Sequence, residues 1–291
     1  MAIRAPRTGP TSVSVIIPMH NASGTIGAQL AALARQDYGG TFEVIASDNG
    51  STDDSRTAAL EAAGRLDLRI VDSSEARGAA PARNIAARSA SGELLVFCDA
   101  DDVVAPGWLS ALIAAAPEFD AVTGPLDADA LNPPDVRAAR PPRAKQLPRH
   151  RGLPYAPSCN LAVWADTFRA TDGFEQRYAP NEDLEWSLRA QRLGFTIGWA
   201  PDALVHYRYR TDTRGIGKQA FAHAKTAVLV HRDYQECGAA NRRGKALRRW
   251  AWVAVRSPYL LDSKRRGLWV RRAAESAGHL AGTFRYRVGS P

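Results

Sequence analysis

Three carboxylates crowd the end of one apolar run. In "ELLVFCDADD", residues 93–102, five consecutive apolar residues from Leu94 to Cys98 lead into Asp99, Asp101 and Asp102. Asp99 and Asp101 stand two apart, so their side chains share one side if the backbone stays extended. Like charges this close repel one another and do nothing for the burial of Val96 or Phe97, so a positive partner is expected. Hard carboxylate oxygens suit Mg2+ or Mn2+, which bind through few protein groups and leave room for phosphate oxygens. A solvated acidic turn, or an N-cap for the helix read from "VVAPGWLSALIAAA", is the alternative this segment by itself leaves open.

The elements that would position these acids are legible on either side. "SVSVIIP" (12–18), "FEVIASD" (42–48), "LDLRIVD" (66–72) and "ELLVFCD" (93–99) read as strands. Between them, "GTIGAQLAALARQ" predicts a helix with Ser23 as cap. "STDDSRTAALEAAG" predicts another, capped by Ser51 or Thr52 and stopped by Gly64, and "AAPARNIAARSASG" a third ending near Gly92. Strictly alternating strands and helices predict an α/β fold, a Rossmann-like mostly parallel sheet with helices on both faces. Ligands of such sheets bind beyond the carboxyl ends of the strands. His20 and Asn21, Asp48 and Asn49, and Asp99 to Asp102 should gather there. Residues 125–157 are rich in Pro and Arg without a usable period, which predicts a long mobile loop over the site. Order resumes at "CNLAVWADTF". A helix from about Glu182 to Leu193, capped by Gly194, follows, then short strands in "FTIGW" and "ALVHY". From Ile216 the pattern is helical, broken at Ser257-Pro258. The expected organisation is a flexible tail over 1–11, a catalytic domain over 12–212 and a helical extension over 213–291.

Composition narrows the function. Cys98, Cys159 and Cys237 are few and far apart, with no CxxC pair, which argues against a zinc ribbon or a disulfide framework. No run approaches the roughly 18 apolar residues of a spanning helix. The chain carries 38 Lys+Arg and 30 Asp+Glu, but 13 of the bases and 2 of the acids follow residue 240, so the body is mildly acidic and the extension alone is basic. There, Trp250, Trp252, Tyr259, Leu260, Leu261, Leu268 and Trp269 interleave with arginines. That composition suits the interface of an anionic membrane, with packing against the body as the alternative and nucleic-acid binding as the weakest reading. The chain lacks GxxxxGK[ST], which excludes a P-loop enzyme, and lacks a GxGxxG after a strand. A nucleotidyltransferase would place a basic Gly-rich loop after the first strand, where "PMHNASGTIG" has no Lys or Arg. A non-catalytic nucleotide-sugar or nucleic-acid binding protein is the rival from another class. A cytoplasmic protein, associated with the inner face of the membrane, is the expected setting.

Taken in order, "VSVIIPMHNASGTI", "EVIASDNGSTDDS", "ARNIAARSASGELLVFCDADD" and "DGFEQRYAPNEDLEWSLRAQRLGF" resemble the family 2 glycosyltransferases of GT-A fold, over roughly residues 12–210. The resemblance implies an inverting, metal-dependent transfer of a sugar from a nucleoside-diphosphate donor, UDP-linked by preference, to an acceptor hydroxyl that could be lipid-linked. It places Pro18, His20, Asn21 and Asp48 around the nucleotide, and Arg83 beside the base and phosphates. Asp99, Ala100 and Asp101 form the metal and sugar-nucleotide motif, with Mn2+ or Mg2+ on Asp101 and Asp99. His206 occupies a position that completes metal binding in some members, and Asp183 that of the general base. Arg208, Arg210, Arg214 and Lys218 could close over the diphosphate. Two departures stand out: His20 where Tyr is common, and Asp172-Gly173-Phe174 where Gly-Gly-Phe is usual. Asp48 as a turn cap, His206 as a packing residue and Glu182 and Asp183 as mere helix-start acids are readings the residues leave open.

Overall fold

The computed structural model describes residues 7–138, 145–234 and 243–287. The sequence expectations for 1–6, 139–144, 235–242 with Cys237, and 288–291 lie outside these. The strands are β1 (Val13–Met19), β2 (Phe42–Asp48), β3 (Asp67–Asp72), β4 (Leu94–Cys98), β5 (Val103–Val104), β6 (Ala121–Thr123), β7 (Leu126–Asp127), β8 (Arg149–His150), β9 (Leu153–Pro154), β10 (Asn160–Trp164), β11 (Ile197–Trp199) and β12 (Val205–His206). The helices are α1 (Ile26–Leu33), α2 (Ser55–Ala62), α3 (Ala79–Ser89), α4 (Trp108–Ala115), α5 (Pro134–Ala138), α6 (Ala165–Ala170), α7 (Glu182–Arg192), α8 (Thr213–Asp233), α9 (Arg243–Val255) and α10 (Ser263–Tyr286).

Seven strands form one sheet in the order β11-β6-β10-β4-β1-β2-β3. Neighbours within β4-β1-β2-β3 and the β11-β6 pair are parallel, whereas β10 runs antiparallel to both β4 and β6. The expected mostly parallel α/β architecture is therefore present, with one reversed strand inside it. Central strands β4 and β10 are buried along their whole length, because both faces of the sheet are covered. The period of two splits each strand between two apolar layers. Val15, Ile17, Val96 and Cys98 join Leu30 and Trp108 on one face. Ile16, Leu95 and Phe97 meet Ala80 and Ala86 of α3 and Trp186 of α7 on the other.

Parallel register brings Met19, Asp48 and Asp72 side by side at one edge. Since β10 runs the other way, its first residue, Asn160, pairs with Cys98 at that same edge. A small sheet, β5-β12-β7, sits beside it and sets His206 opposite both Val103 and Asp127.

The helix starts differ from expectation. The first residue of α1 is Ile26, not a residue just after Ser23, because Ala22 to Thr25 closes a backbone turn. Ser23 gives its N–H to Asp53 instead, at 3.1 Å. Likewise α2 starts at Ser55, while Ser51 N–H donates to Asp48 Oδ1 (3.1 Å) and Thr52 N–H to Asn21 Oδ1 (2.8 Å). Across the two turns, Ser51 Oγ accepts from Asn21 N–H (3.1 Å), so that hydroxyl does not cap α2. The described part of 125–157 is also tied down at its start. Leu126 is buried, and the Asn132 amide donates to Tyr207 O (2.7 Å) and accepts from Tyr209 N (2.7 Å).

Beyond the sheet, α8 and α10 cross closely. A Cβ on Gly278 would lie 2.3 Å from Phe221 O, and one on Gly282 2.6 Å from Lys225 O. Two hydroxyls fasten α8 to the body, Tyr178 Oη to Asp233 (2.8 Å) and Tyr234 Oη to Glu185 (2.6 Å). Among the described residues, no helix is long and apolar enough to cross a membrane.

At the edge opposite the acids, Glu43 holds four elements together. Its carboxylate accepts from Ser14 Oγ (2.6 Å), Ser91 N (2.7 Å), Ser91 Oγ (2.6 Å) and Arg69 (3.0 Å). Burial opposes the charge, yet these donors hold the group down from 4.5 to about 2. A depressed carboxylate stabilises the fold above its unfolded pKa and loses that contribution as pH falls towards the folded value. Glu43→Gln should therefore lower the urea midpoint at pH 7. The gap to the parent should narrow as pH falls below about 4.5; a gap that stays constant down to pH 3 would contradict the assignment.

Candidate active site

The alternation of β4 determines which way Asp99 faces. It continues the parity of Leu95 and Phe97 and so belongs to the sheet face covered by α3 and α7. Arg83 of α3 waits there, 3 % exposed. Its guanidinium bridges Asp99 Oδ1 at 2.6 Å and Glu182 Oε1 at 3.1 Å, and it lies over the Phe174 ring at 5.9 Å. Burial lowers the pKa of Arg83, but Asp99 and Glu182 more than reverse this and raise it. The same bridge explains Glu182, whose burial raises its pKa while Arg83 opposes. The Phe174 strap is fixed by Asn84, which accepts from Phe174 N (2.9 Å) and donates to Phe174 O (2.7 Å). Asp172 and Gly173 turn this strap with φ of +54° and +63°. Aspartate tolerates the left-handed region better than most residues, which accommodates the departure at 172.

The turn that carries the acids is clamped from below. Gln29 of α1, fully buried, donates to Asp99 O (3.2 Å) and accepts from Val104 N (3.0 Å). Asp102, 1 % exposed, accepts from Arg208 N at 2.8 Å, and the Arg208 side chain donates to Asp101 O at 2.8 Å. Neither Gln29 nor the inward role of Asp102 was legible in the sequence: a glutamine on an apolar helix gives no signal until the loop it holds is known.

Two cavities open beyond this edge. The first, about 730 Å3, is lined by Pro18, His20 and Asn21 after β1, by Asp99 to Asp101, and by Arg208 and Arg210 opposite. The second, about 570 Å3, is lined by Asp183, Glu182 and Ser158, by Tyr207 and Tyr209, and by residues of α8 and α10. Arg83 and Asp99 belong to both walls. Asp183, the second residue of α7, accepts from Ser158 N (3.2 Å) and Leu184 N (2.7 Å). Burial nevertheless raises its pKa, with those bonds and Arg83 opposing.

Several expected site residues therefore come together: Pro18, His20, Asn21, Arg83, Asp99, Ala100 and Asp101 share the first cavity, and Asp183 borders the second. Asp48 is placed otherwise. It is buried, caps its own turn and pairs with Arg56 at 3.2 Å. Its neighbour Asn49 lines the cavity, gripping the next loop through Ser73 O (2.6 Å), Ala76 O (2.8 Å) and Gly78 N (2.7 Å). His206 is held by Asp127, Nδ1 to Oδ2 at 3.0 Å, which leaves Nε2 as its second nitrogen.

The acids suit a hard dication. Burial and then the charge of Asp99 push Asp101 up to about 6, against the pull of Arg210 and Arg208; a carboxylate pair under such repulsion is relieved by a doubly charged ion. Among the described residues, one group of three potential ligands converges. Asp99, Asp102 and Cys159 each offer a donor atom within 4.8 Å of the others. Asp101 and His206 are not in that group.

A mixed α/β sheet with a carboxylate turn between two cavities at its carboxyl edge is the architecture the sequence resemblance led us to expect. The family model described as "Glycosyl transferase family 2" matches residues 14–163, and the chain belongs to that family. Glycosyltransferase AglE of Haloferax volcanii is 27% identical over 300 residues, covering 92% of this chain and 95% of AglE. The UDP-Glc:alpha-D-GlcNAc-diphosphoundecaprenol beta-1,3-glucosyltransferase WfgD of Escherichia coli is 36% identical over 91 residues, 31% of this chain and 35% of WfgD. The structure of the mannosyltransferase PcManGT from Pyrobaculum calidifontis, in complex with GDP-Man and Mn2+, aligns with a TM-score of 0.67 at 22% identity, covering 97% of this chain and 89% of that one. This protein is a glycosyltransferase of GT-A fold.

The bridge at Arg83 can be tested through stability. Arg83→Met leaves Glu182 buried without its counter-charge and should cost about 3–5 kcal/mol in urea denaturation. Arg83→Met combined with Glu182→Met should recover much of that loss; equal losses in the single and double variants would contradict the bridge.

Proposed function

We propose that the cavity beside His20 and Asp101 holds a nucleoside-diphosphate sugar, UDP-linked by preference, and that Asp183 deprotonates an acceptor hydroxyl in the neighbouring cavity. One observation carries this reading: the two cavities share a wall made by Ala79, Arg83, Asp99 and Tyr209, in which Arg83 and Asp99 are the charged pair. A sugar whose diphosphate rests on the first side presents its anomeric carbon to the second. The acceptor then attacks from the face opposite the leaving group, and a single displacement inverts the centre.

Asp99 and Asp101 would hold Mn2+ or Mg2+, with His206 available through Nε2 since Asp127 orients its ring. The bound ion would supply charge for the departing diphosphate. Arg208 and Arg210 add positive charge opposite the acids. Arg83 fixes Asp99 on one side and the start of α7 on the other, so both halves of the site keep their spacing. Asp183 takes the proton late, as the anomeric carbon becomes cationic and the hydroxyl acidifies. Its raised pKa makes it a better base than an ordinary aspartate and keeps it ionised only above that shifted value. A Mn2+-bearing neighbour of the same fold supports the metal, and the GDP- and UDP-sugar enzymes among the similar proteins support the donor class.

Turnover of UDP- and GDP-sugars with and without Mn2+ tests the site. Asp183→Asn should lower kcat by about 10²–10⁴-fold while leaving nucleotide binding intact, and Asp101→Asn should abolish the response to Mn2+. In the parent, the rate should rise with pH through the raised pKa of Asp183. A full-rate Asp183→Asn protein would sink the assignment.

The extension fits the surface of an anionic bilayer, which would bring the enzyme to a lipid-linked acceptor. Trp252, Tyr259 and Trp269 pack among the helices themselves, through a ring pair at 6.2 Å and a bond from Trp269 Nε1 to Val253 O (2.9 Å). Leu247, Val255 and Leu261 instead are 75%, 78% and 88% exposed, among exposed Arg248, Lys264, Arg265 and Arg266. Apolar tips ringed by cations match acyl chains below anionic headgroups. The protein should co-sediment with phosphatidylglycerol vesicles and not with phosphatidylcholine, and Val255→Asp with Leu261→Asp should release it. Equal binding to both lipids, or none, would refute the contact.

A further inference from the structure

Asn181 stands at the N-cap of α7, two residues before Asp183, yet its side chain does not cap the helix. Asparagine in that position ordinarily accepts from an N–H of the first turn. Its carbonyl does take the first helical bond, from Glu185 N at 3.0 Å. The amide is spent elsewhere, on one turn of α8. Nδ2 donates to His223 O (2.9 Å) and to Thr226 Oγ1 (2.6 Å), and Oδ1 accepts from His223 Nδ1 (3.2 Å). The donors and acceptors agree with one another. Thr226 gives its own hydrogen to Ala222 O (3.0 Å), so its oxygen is the acceptor for Asn181.

We propose that Asn181 is a positioning residue for the base: its latch onto His223 and Thr226 sets Asp183 against the α8 wall of the second cavity. This rests on the reading of Asp183 as the base. Three successive side chains at the start of α7 go to three separate elements. Asn181 binds α8, Glu182 binds Arg83 of α3, and Asp183 accepts from Ser158 N just before β10. The backbone that carries the base is therefore held from three sides. Removing the first tie leaves the other two on one side of it. The tyrosine–carboxylate bonds do not replace it, because Asp233 and Tyr234 grip α8 at its last turn. Asn181 instead holds the turn that faces the cavity: His223, Ala224 and Ala227 line it together with Asp183. The latch thus fixes the gap between the base and the wall opposite it. Transfer depends steeply on such a gap, since the base must stay within hydrogen-bond reach of the hydroxyl it deprotonates. A strong capping residue that gives up its cap for a contact between helices is the trace of that demand. By this reading α8, the first helix of the C-terminal extension, belongs to the catalytic unit.

The test is nucleotide release by the full chain from UDP-glucose, UDP-N-acetylglucosamine and GDP-mannose in Mn2+, with water or octyl glucoside as acceptor. Asn181→Ser keeps a residue suited to the N-cap, but its hydroxyl is too short to reach α8. Thr226→Val removes the accepting oxygen, and Thr226→Ser keeps it. Asn181→Ser should lower kcat about tenfold to a hundredfold, the scale of a misplacement of about 1 Å, with the donor KM unchanged. Thr226→Val should lower kcat in the same way, and Thr226→Ser should recover most of that loss. Asn181→Ser combined with Thr226→Val should lose no more than Asn181→Ser alone, because both break the same bond. Thermal shifts with UDP and GDP in Mn2+, run on each variant, should match the parent and show that the donor cavity is intact. Parental kcat in Asn181→Ser, a raised donor KM in place of a lowered kcat, multiplied losses in the double variant, or no recovery in Thr226→Ser would overturn the latch alone. A full-rate Asp183→Asn protein, or a parent that releases nucleotide from none of the donors, would overturn the reading of the base and the latch with it.

Discussion

One guanidinium organises the reactive edge of this enzyme. Arg83 is almost wholly removed from water and held between Asp99 at the end of β4 and Glu182 at the start of α7. Burial opposes the charge on Glu182 and Arg83 counters it, while Asp99 and Glu182 together hold the proton on the buried arginine. The three groups are therefore a single electrostatic unit, whose cost of desolvation is offset only when the strand end and the helix start sit at one separation. Asp183 follows Glu182 directly, so the distance between the carboxylate turn and the proposed base is set by this unit rather than by loop lengths.

The surrounding scaffold is consistent with that demand. Burying β4 and β10 on both faces leaves their ends with little freedom, and Gln29 ties the turn after β4 at its first and last backbone groups. Asn49 does the same for the loop leading into α3, and Asn84 for the strap beneath Arg83. These amides have no titratable chemistry. Each takes two or more backbone partners from segments distant in sequence, which is how irregular turns at a sheet edge are held to the precision a transfer reaction requires.

The C-terminal helices serve two sides at once. Where α8 touches the body, two tyrosine–carboxylate bonds and the Asn181 side chain join it to α7 and the turn before it. Where they face outward, exposed Leu, Val and Trp residues stand among arginines. The pair α8 and α10 closes one wall of the second cavity, and the exposed apolar residues of α9 and of the turn before α10 lie outside it.

Much of this is legible in the amino-acid sequence. Apolar runs of period two and 3.6 determined the alternating strands and helices of the first hundred residues, because burial on a sheet or beneath a helix imposes those periods locally. The crowding of Asp99, Asp101 and Asp102 identified the edge that carries the chemistry, since unpaired like charges demand an external partner. What only tertiary structure decided were the partners across long sequence gaps. Arg83 and Glu182 are 99 residues apart, and Gln29 and Asp99 70 apart. That Asp102 turns inward while Asp99 opens to both cavities depends on Arg208, which arrives from another sheet. That Asn49 lines the first cavity while Asp48 pairs with Arg56 is likewise a matter of partners the fold supplies. Such choices depend on which donors the fold brings within about 3 Å of a given group, and no local periodicity encodes that.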